Sequence, residues 1–359
     1  MSTDALVVNG LQAGYGRVPV VFDASFFIGE QRYGNPYALI RRHVSFAVAT
    51  VAIAAIVLRA DAQALRRFAV PALGVGVLLL LLVLIPGIGQ VRGGARRWLP
   101  LGLFAFEPSE LVKPIFVLYL AHSLARKRER IRSFTDGVLP HLVVLAVPAL
   151  LLLKEPDFGA AMVLVVVTLA MLFAAGARGI HLAALVGATL PGAGALILFS
   201  PYRWKRLIAF LDPWADPQRI GFQLVQSLLS LGSGGWLGVG LGNGNQKLFY
   251  LPEGHTDFIF ALIGEELGLA GTLLVLVCIG AIALRGFRIA NRLGDPFASL
   301  LAFGLTFLLV TQAAMNVGVV VGLLPTKGLP LPFVSYGGSS MLAAGMTVAV
   351  LLGLSREAR

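Results

Sequence analysis

The chain has 359 residues, of which 57% are hydrophobic and 13% charged, about half the charged share of an ordinary soluble domain. Repeated apolar runs of about 18 to 25 residues fit helices crossing a hydrocarbon core, and barrel strands would be short and alternating, so the composition excludes a soluble fold and an outer-membrane barrel. A net charge of +11 in such a chain points to basic loops facing anionic lipid and anionic ligands rather than to nucleic acid. The single cysteine, Cys278, excludes a disulfide framework and a cysteine-based metal site.

Residues 1–43 are atypical. Ala5 to Phe22 contains Asn9, Gln12 and Arg17 among three glycines, a poor spanning segment on any transfer scale. No compact apolar core followed by a small-residue cleavage site marks a signal peptide. From Val44 the pattern is clear, with apolar runs at about Val44–Leu58, Phe68–Ile88, Leu111–Ala125, Val138–Leu153, Phe158–Ala177, Leu182–Phe199, Phe258–Leu284, Pro296–Leu324 and Met341–Leu354. The expected architecture is an all-α polytopic membrane protein with nine clear spans. Residues 44–199 and 257–354 form the two membrane blocks, 200–256 a large loop and 355–359 a tail. Pro114, Pro148 and Pro191 fall inside spans, where kinks are expected rather than breaks.

Alternating spans divide the connections into two sets with nearly equal numbers of Lys and Arg. One set concentrates them in short connections, as at Arg126, Lys127, Arg128, Arg130 and Arg132. Density in short loops assigns that set to the cytoplasm, which puts the 200–256 loop and Asp257 outside.

The outer loop combines Arg203, Lys205 and Arg206 with Gln223, Gln226 and the glycine-dense run from Gly232 to Lys247. Such a length is functional or disordered in a compact protein, and interleaved apolar residues favour an ordered interfacial structure. Arg and Lys suit phosphate, and glycines let backbone NH groups approach an anion; headgroup anchoring explains the same cations. No P-loop or dinucleotide fingerprint is present. The loop ends in LPEGHTDFIFALIGEE, carrying Glu253, His255 and Asp257 into an apolar run. A carboxylate there is costly to desolvate and suits a general base. It also suits a helix N-cap, and position alone leaves the two open. His255 and Asp257, two apart, would not share a helix face if both were helical, which argues against metal binding by this pair alone.

Further polar candidates are Glu107, Glu110 and Lys113 in FEPSELVK, Asp157 in KEPDFG, and Glu265 with Glu266. Glu110 and Lys113, three apart, read as an intramembrane ion pair, compatible with a polar cavity. The segment PTKGLPLPFVSYGGSS, 325–340, is broken backbone of the kind that lines cavities, with Ser335, Tyr336 and Ser339 available to it. No base stands near these serines in sequence, so a serine nucleophile is unsupported.

These four motifs, together with GFQLVQSLLSLGSGGWLGVGLGNGNQK, resemble the SEDS family (shape, elongation, division and sporulation) of peptidoglycan polymerases from about Ala24 to Leu354. Lys327 and Gly264 look more like its FtsW-like division branch than its RodA-like elongation branch. The resemblance implies ten membrane helices in the inner membrane, both termini cytoplasmic, so that 1–43 would hold a degraded or absent first helix. It implies a glycosyltransferase joining lipid II units, with Asp257 essential and Glu110 and Lys113 at a central cavity. A class B penicillin-binding protein and other division-complex membrane proteins would be partners. On this reading Asp257 is the catalytic base, and Arg203, Arg206, Lys247 and more distantly Arg97 offset pyrophosphate charge. His255, Gln223, Gln226, Ser335 and Ser339 are substrate-binding candidates, and Glu110, Lys113, Asp157 and Glu266 line the cavity. A divalent cation, Mg or Mn, could share the cationic role, although the sequence offers no dedicated cage. The alternatives are a lipid II flippase and a non-catalytic scaffold for the transpeptidase.

Overall fold

The structure is a computed structural model that describes residues 37–92, 94–101, 104–244 and 256–358. The atypical 1–36 stretch, Lys247, Glu253 and His255 lie outside the described residues. Eleven α-helices are present among them: α1 Tyr37–Val57, α2 Ala62–Leu84, α3 Pro108–Arg126, α4 Leu139–Lys154, α5 Phe158–Ala174, α6 Gly179–Leu198, α7 Pro201–Leu211, α8 Phe222–Gly234, α9 Ile259–Arg292, α10 Pro296–Val320 and α11 Gly338–Glu357. Each of the nine apolar runs coincides with one of these helices. Six of the helical segments are long and apolar enough to cross a membrane. Pro114, Pro148 and Pro191 sit inside α3, α4 and α6, which continue past them.

Local chemistry explains several boundaries. Asp61, Asp157 and Asp295 each accept a hydrogen bond from the amide three residues on, so α2, α5 and α10 start on side-chain caps. Pro108, Pro201 and Pro296 open α3, α7 and α10, where a missing NH costs nothing. Between α2 and α3 runs an antiparallel meander, β1 Gln90–Arg92, β2 Ala95–Leu101 and β3 Phe104–Phe106, in the order β1-β2-β3. Trp98 faces Gln90 across the first pair, and Leu99 faces Phe106 across the second. This small sheet is an addition to the all-α expectation.

Alternation of the helices gives the bundle two ends. One end collects the meander, the turn at 155–157, α7, α8 and the segment 321–337. The other end collects 58–61, 127–138, 175–178 and 293–295, and is tied by the Arg66–Asp295 ion pair at 2.9 Å. Phe116, Leu120, Leu164, Met171, Phe297 and Leu305 form the main core between α3, α5 and α10. A second core lies at the first end, where Phe258 to Ile263 pack against Ala313, Val319, Val320 and Leu331.

One long helix is not continuous. Gly268, inside α9, has φ 64 and ψ −160, a conformation essentially restricted to glycine. A Cβ there would lie 2.4 Å from the amide nitrogen of Gly238. The chain after α8 fills the break. Amides of Leu269 and Ala270 donate to the carbonyls of Gly235 and Trp236, and amides of Val239 and Gly240 donate to the carbonyls of Glu265 and Glu266. Backbone groups freed by the interruption therefore keep partners, as burial requires.

Candidate active site

Asp257 stands half-buried in the turn that leads into α9, and two side chains fix the backbone around it. The buried Asn316 of α10 donates from one amide nitrogen to the Asp257 carbonyl at 2.7 Å and to the Leu329 carbonyl at 2.6 Å. Ser335 donates to the Thr256 carbonyl at 2.6 Å and accepts from the Leu331 amide at 2.7 Å. Gly328 meets the side chain instead, because a Cβ at that position would lie 2.7 Å from Oδ2 of Asp257. The carboxylate thus lies against the broken 325–337 segment, and a side chain at 328 would push it aside.

The same segment carries positive charge to this point. Lys327 places its ammonium 4.3 Å from the centroid of the Phe158 ring, a cation–π distance. Arg206 reaches from α7 and donates to the Thr326 carbonyl at 3.0 Å. A carboxylate beside Gly328, in a segment that also carries Lys327 and is held by Arg206, has the chemistry to take a proton from a hydroxyl and has cations in the same segment to face a departing anion.

A second polar cluster lies at the same end. Arg97 of β2 donates to the carbonyls of Glu155 and Pro156, fastening the meander to the turn between α4 and α5. Glu110 and Lys113 form the anticipated buried ion pair at 2.7 Å. Glu107, just ahead of α3, is pushed up to about 8 by burial and then by the charges of Glu110 and Asp157, against the opposing pull of Arg97 and Lys113. Glu155, in the turn, is pushed up to about 9 by burial, then Asp157 and Glu107, with Arg97 opposing. Both Glu155 carboxyl oxygens are buried without a hydrogen-bond partner, as suits a neutral acid better than an ion.

Several of the other expected site residues are engaged within the fold. Ser335 and Ser339 are each 4% exposed. The Ser339 hydroxyl accepts from the Glu107 amide at 2.9 Å, and Ser335 is engaged as above. Both hydroxyls therefore hold backbone. Arg97 is likewise bound to two carbonyls of the 155–157 turn. Asp157 caps α5. Glu266 accepts from the Gly242 amide at 3.0 Å and so pins the glycine-rich loop. Gln223 and Gln226 lie half-buried one turn apart on α8. Between them and α10, Ser227 donates to the Val320 carbonyl at 2.7 Å. Arg203 belongs to α7, but its side chain lies outside the description.

Among the described residues no three His, Cys, Asp or Glu side chains converge as metal ligands. Asp257 has a lysine-bearing segment beside it. The described side chains thus form no cation cage.

Asn316 was not singled out from sequence, since one asparagine in a long apolar run carries no local signal. Its only hint is the cost of burying an amide in such a run.

A family comparison matches residues 5–359 to the cell cycle proteins of the FtsW, RodA and SpoVE type. The chain belongs to this family. The match takes in most of the atypical N-terminal stretch. Relatives include proteins named probable peptidoglycan glycosyltransferase FtsW from Geobacter metallireducens, 44% identical over 338 residues (94% of this chain and 90% of that one). Its counterpart in Halorhodospira halophila is 46% identical over 342 residues (94% and 86%). Among solved structures, a chain described under structural coordination of polymerization and crosslinking by a peptidoglycan synthase complex aligns with TM-score 0.76 at 28% identity, covering 94% of this chain and 95% of that one. The rod shape determining protein RodA of Thermus thermophilus aligns with TM-score 0.67 at 28% identity, covering 94% and 93%.

Proposed function

We propose that the chain is a peptidoglycan glycosyltransferase that polymerises lipid II at the outer face of the cytoplasmic membrane during division. The observation that carries this reading is the 44–46% identity, across 94% of the chain, to proteins named for that activity. The site geometry is compatible with it. Asp257 accepts the proton of the acceptor sugar 4-hydroxyl as that oxygen bonds to the anomeric carbon of the donor. The bond from that carbon to the pyrophosphate oxygen breaks, and the electron pair leaves with undecaprenyl pyrophosphate. Lys327 and Arg206, with Arg203 and Lys247 from the same loop, offset the charge developing on the leaving group.

Similarity to a chain from a peptidoglycan synthase complex supports a class B penicillin-binding protein as the transpeptidase partner, within a larger set of division proteins. The test is polymerisation of purified lipid II by the chain with that partner. Asp257→Asn is expected to abolish glycan product while the complex still assembles. Normal-length product from the variant would overturn the role of Asp257. Lipid II translocation without polymerisation by the unaltered chain would favour the flippase reading. Intact cell-wall synthesis with the variant in place would favour the scaffold.

A further inference from the structure

At the bundle end opposite Asp257, a cavity of about 980 Å³ opens between α2, α3 and α4. Its charged wall comes from Arg126, Lys127, Arg128 and Arg130, with Glu129 and Asp136 as the only acids. Positive charge is in excess, and none of these four cations forms an ion pair among the described residues. Arg126, in the last turn of α3, complements the helix dipole. That accounts for one charge; Arg128 and Arg130 lie beyond the helix in a turn of their own. His122, also in the wall, keeps a buried ring nitrogen without a hydrogen-bond partner.

The cavity is not closed on its apolar side. Val70 of α2 lines it and is 55% exposed, on a helix apolar enough to cross a membrane. Tyr119, with a ring and a hydroxyl, and Pro140 complete that flank. A soluble anion would need only the basic wall. An amphipathic anion needs a charged recess that opens onto an apolar surface, with a polar aromatic residue at the join.

We propose that this recess binds an anionic phospholipid, its phosphate among Arg126, Lys127, Arg128 and Arg130 and its acyl chain along α2 at Val70. The site is separate from Asp257: the 19 residues of α3 alone span roughly 28 Å between the two ends. It stands whether or not the chain is a polymerase.

The test uses the full chain in detergent, titrated with phosphatidylglycerol or phosphatidylcholine and read by native mass spectrometry. The unaltered chain should retain phosphatidylglycerol about tenfold better than phosphatidylcholine. An Arg126→Gln, Arg128→Gln, Arg130→Gln variant should lose that preference. An Arg285→Gln, Arg356→Gln control, which removes charge outside the cavity, should keep it. If the triple variant does not fold, Arg128→Glu at its exposed position is read instead and should weaken retention several-fold. Equal retention of the two lipids, or equal loss in the control, overturns the proposal. Displacement of the lipid by millimolar inorganic phosphate overturns the lipid assignment in favour of a soluble anion.

Discussion

Replacing Asn316 with alanine removes both donors that tie the Asp257 and Leu329 carbonyls together, while leaving every charged group in place. The buried Leu329 carbonyl then loses this donor, costing about 1–3 kcal/mol, and the turn carrying Asp257 loosens. A general base misplaced by an ångström loses on the order of a hundredfold in rate. Asn316→Ala is therefore expected to lower kcat by about ten- to a hundredfold with KM for lipid II within about twofold. Ser335→Ala, which frees the Thr256 carbonyl, should act in the same direction. An unchanged kcat in both would show that Asp257 holds its place without them.

Glu155 makes a different prediction at the same scale. Its pKa is raised from 4.5 to about 9 in the folded chain, so the folded state binds more protons than the unfolded state between those values. The associated stability is present below about pH 4.5 and is lost as pH rises through about 9. Glu155→Gln removes the titration and keeps the shape. The melting temperature in detergent should fall less for the variant than for the unaltered chain between pH 6 and pH 9. Parallel curves would show that Glu155 ionises freely.

At the scale of elements, the break at Gly268 is what lets the glycine-rich loop enter α9. Gly268→Ala places a Cβ against the amide of Gly238 and imposes a conformation that costs alanine about 1–3 kcal/mol. The loop at 235–244 should become cleavable by protease in detergent, with Trp236 and Leu237, already 78% and 83% exposed, as the first sites. Equal resistance of variant and parent would mean that the interruption is not what seats the loop. The break was invisible in sequence because LGLAG itself holds no polar residue and opens a further apolar run, and hydropathy is blind to φ. Helix positions, by contrast, were legible, since apolar runs of spanning length allow little else. The meander was missed for the opposite reason: its strands of three, seven and three residues are too short to impose a period. Asp257 stood out because a carboxylate entering an apolar run is rare. Its supports did not, since Asn316 and Gly328 act through contacts between segments far apart in the chain.

For the whole molecule the remaining question is which end faces out. The end holding the lipid recess carries its cations in short connections, among them Arg128, Arg130 and Arg132. Such charges near helix ends resist translocation, whereas long loops cross largely regardless of charge. The 199–258 connection, with α7 and α8, is the long one, so the end bearing Asp257 should face outward. Substituted cysteines can check this once the single native thiol is removed as Cys278→Ser. Lys205→Cys, at an exposed position on α7, should react in intact cells with a membrane-impermeant maleimide, and Arg132→Cys only after permeabilisation. The reverse pattern would place Asp257 in the cytoplasm, where a polymerase acting on translocated lipid II could not work, and would remove the proposed reaction together with the topology.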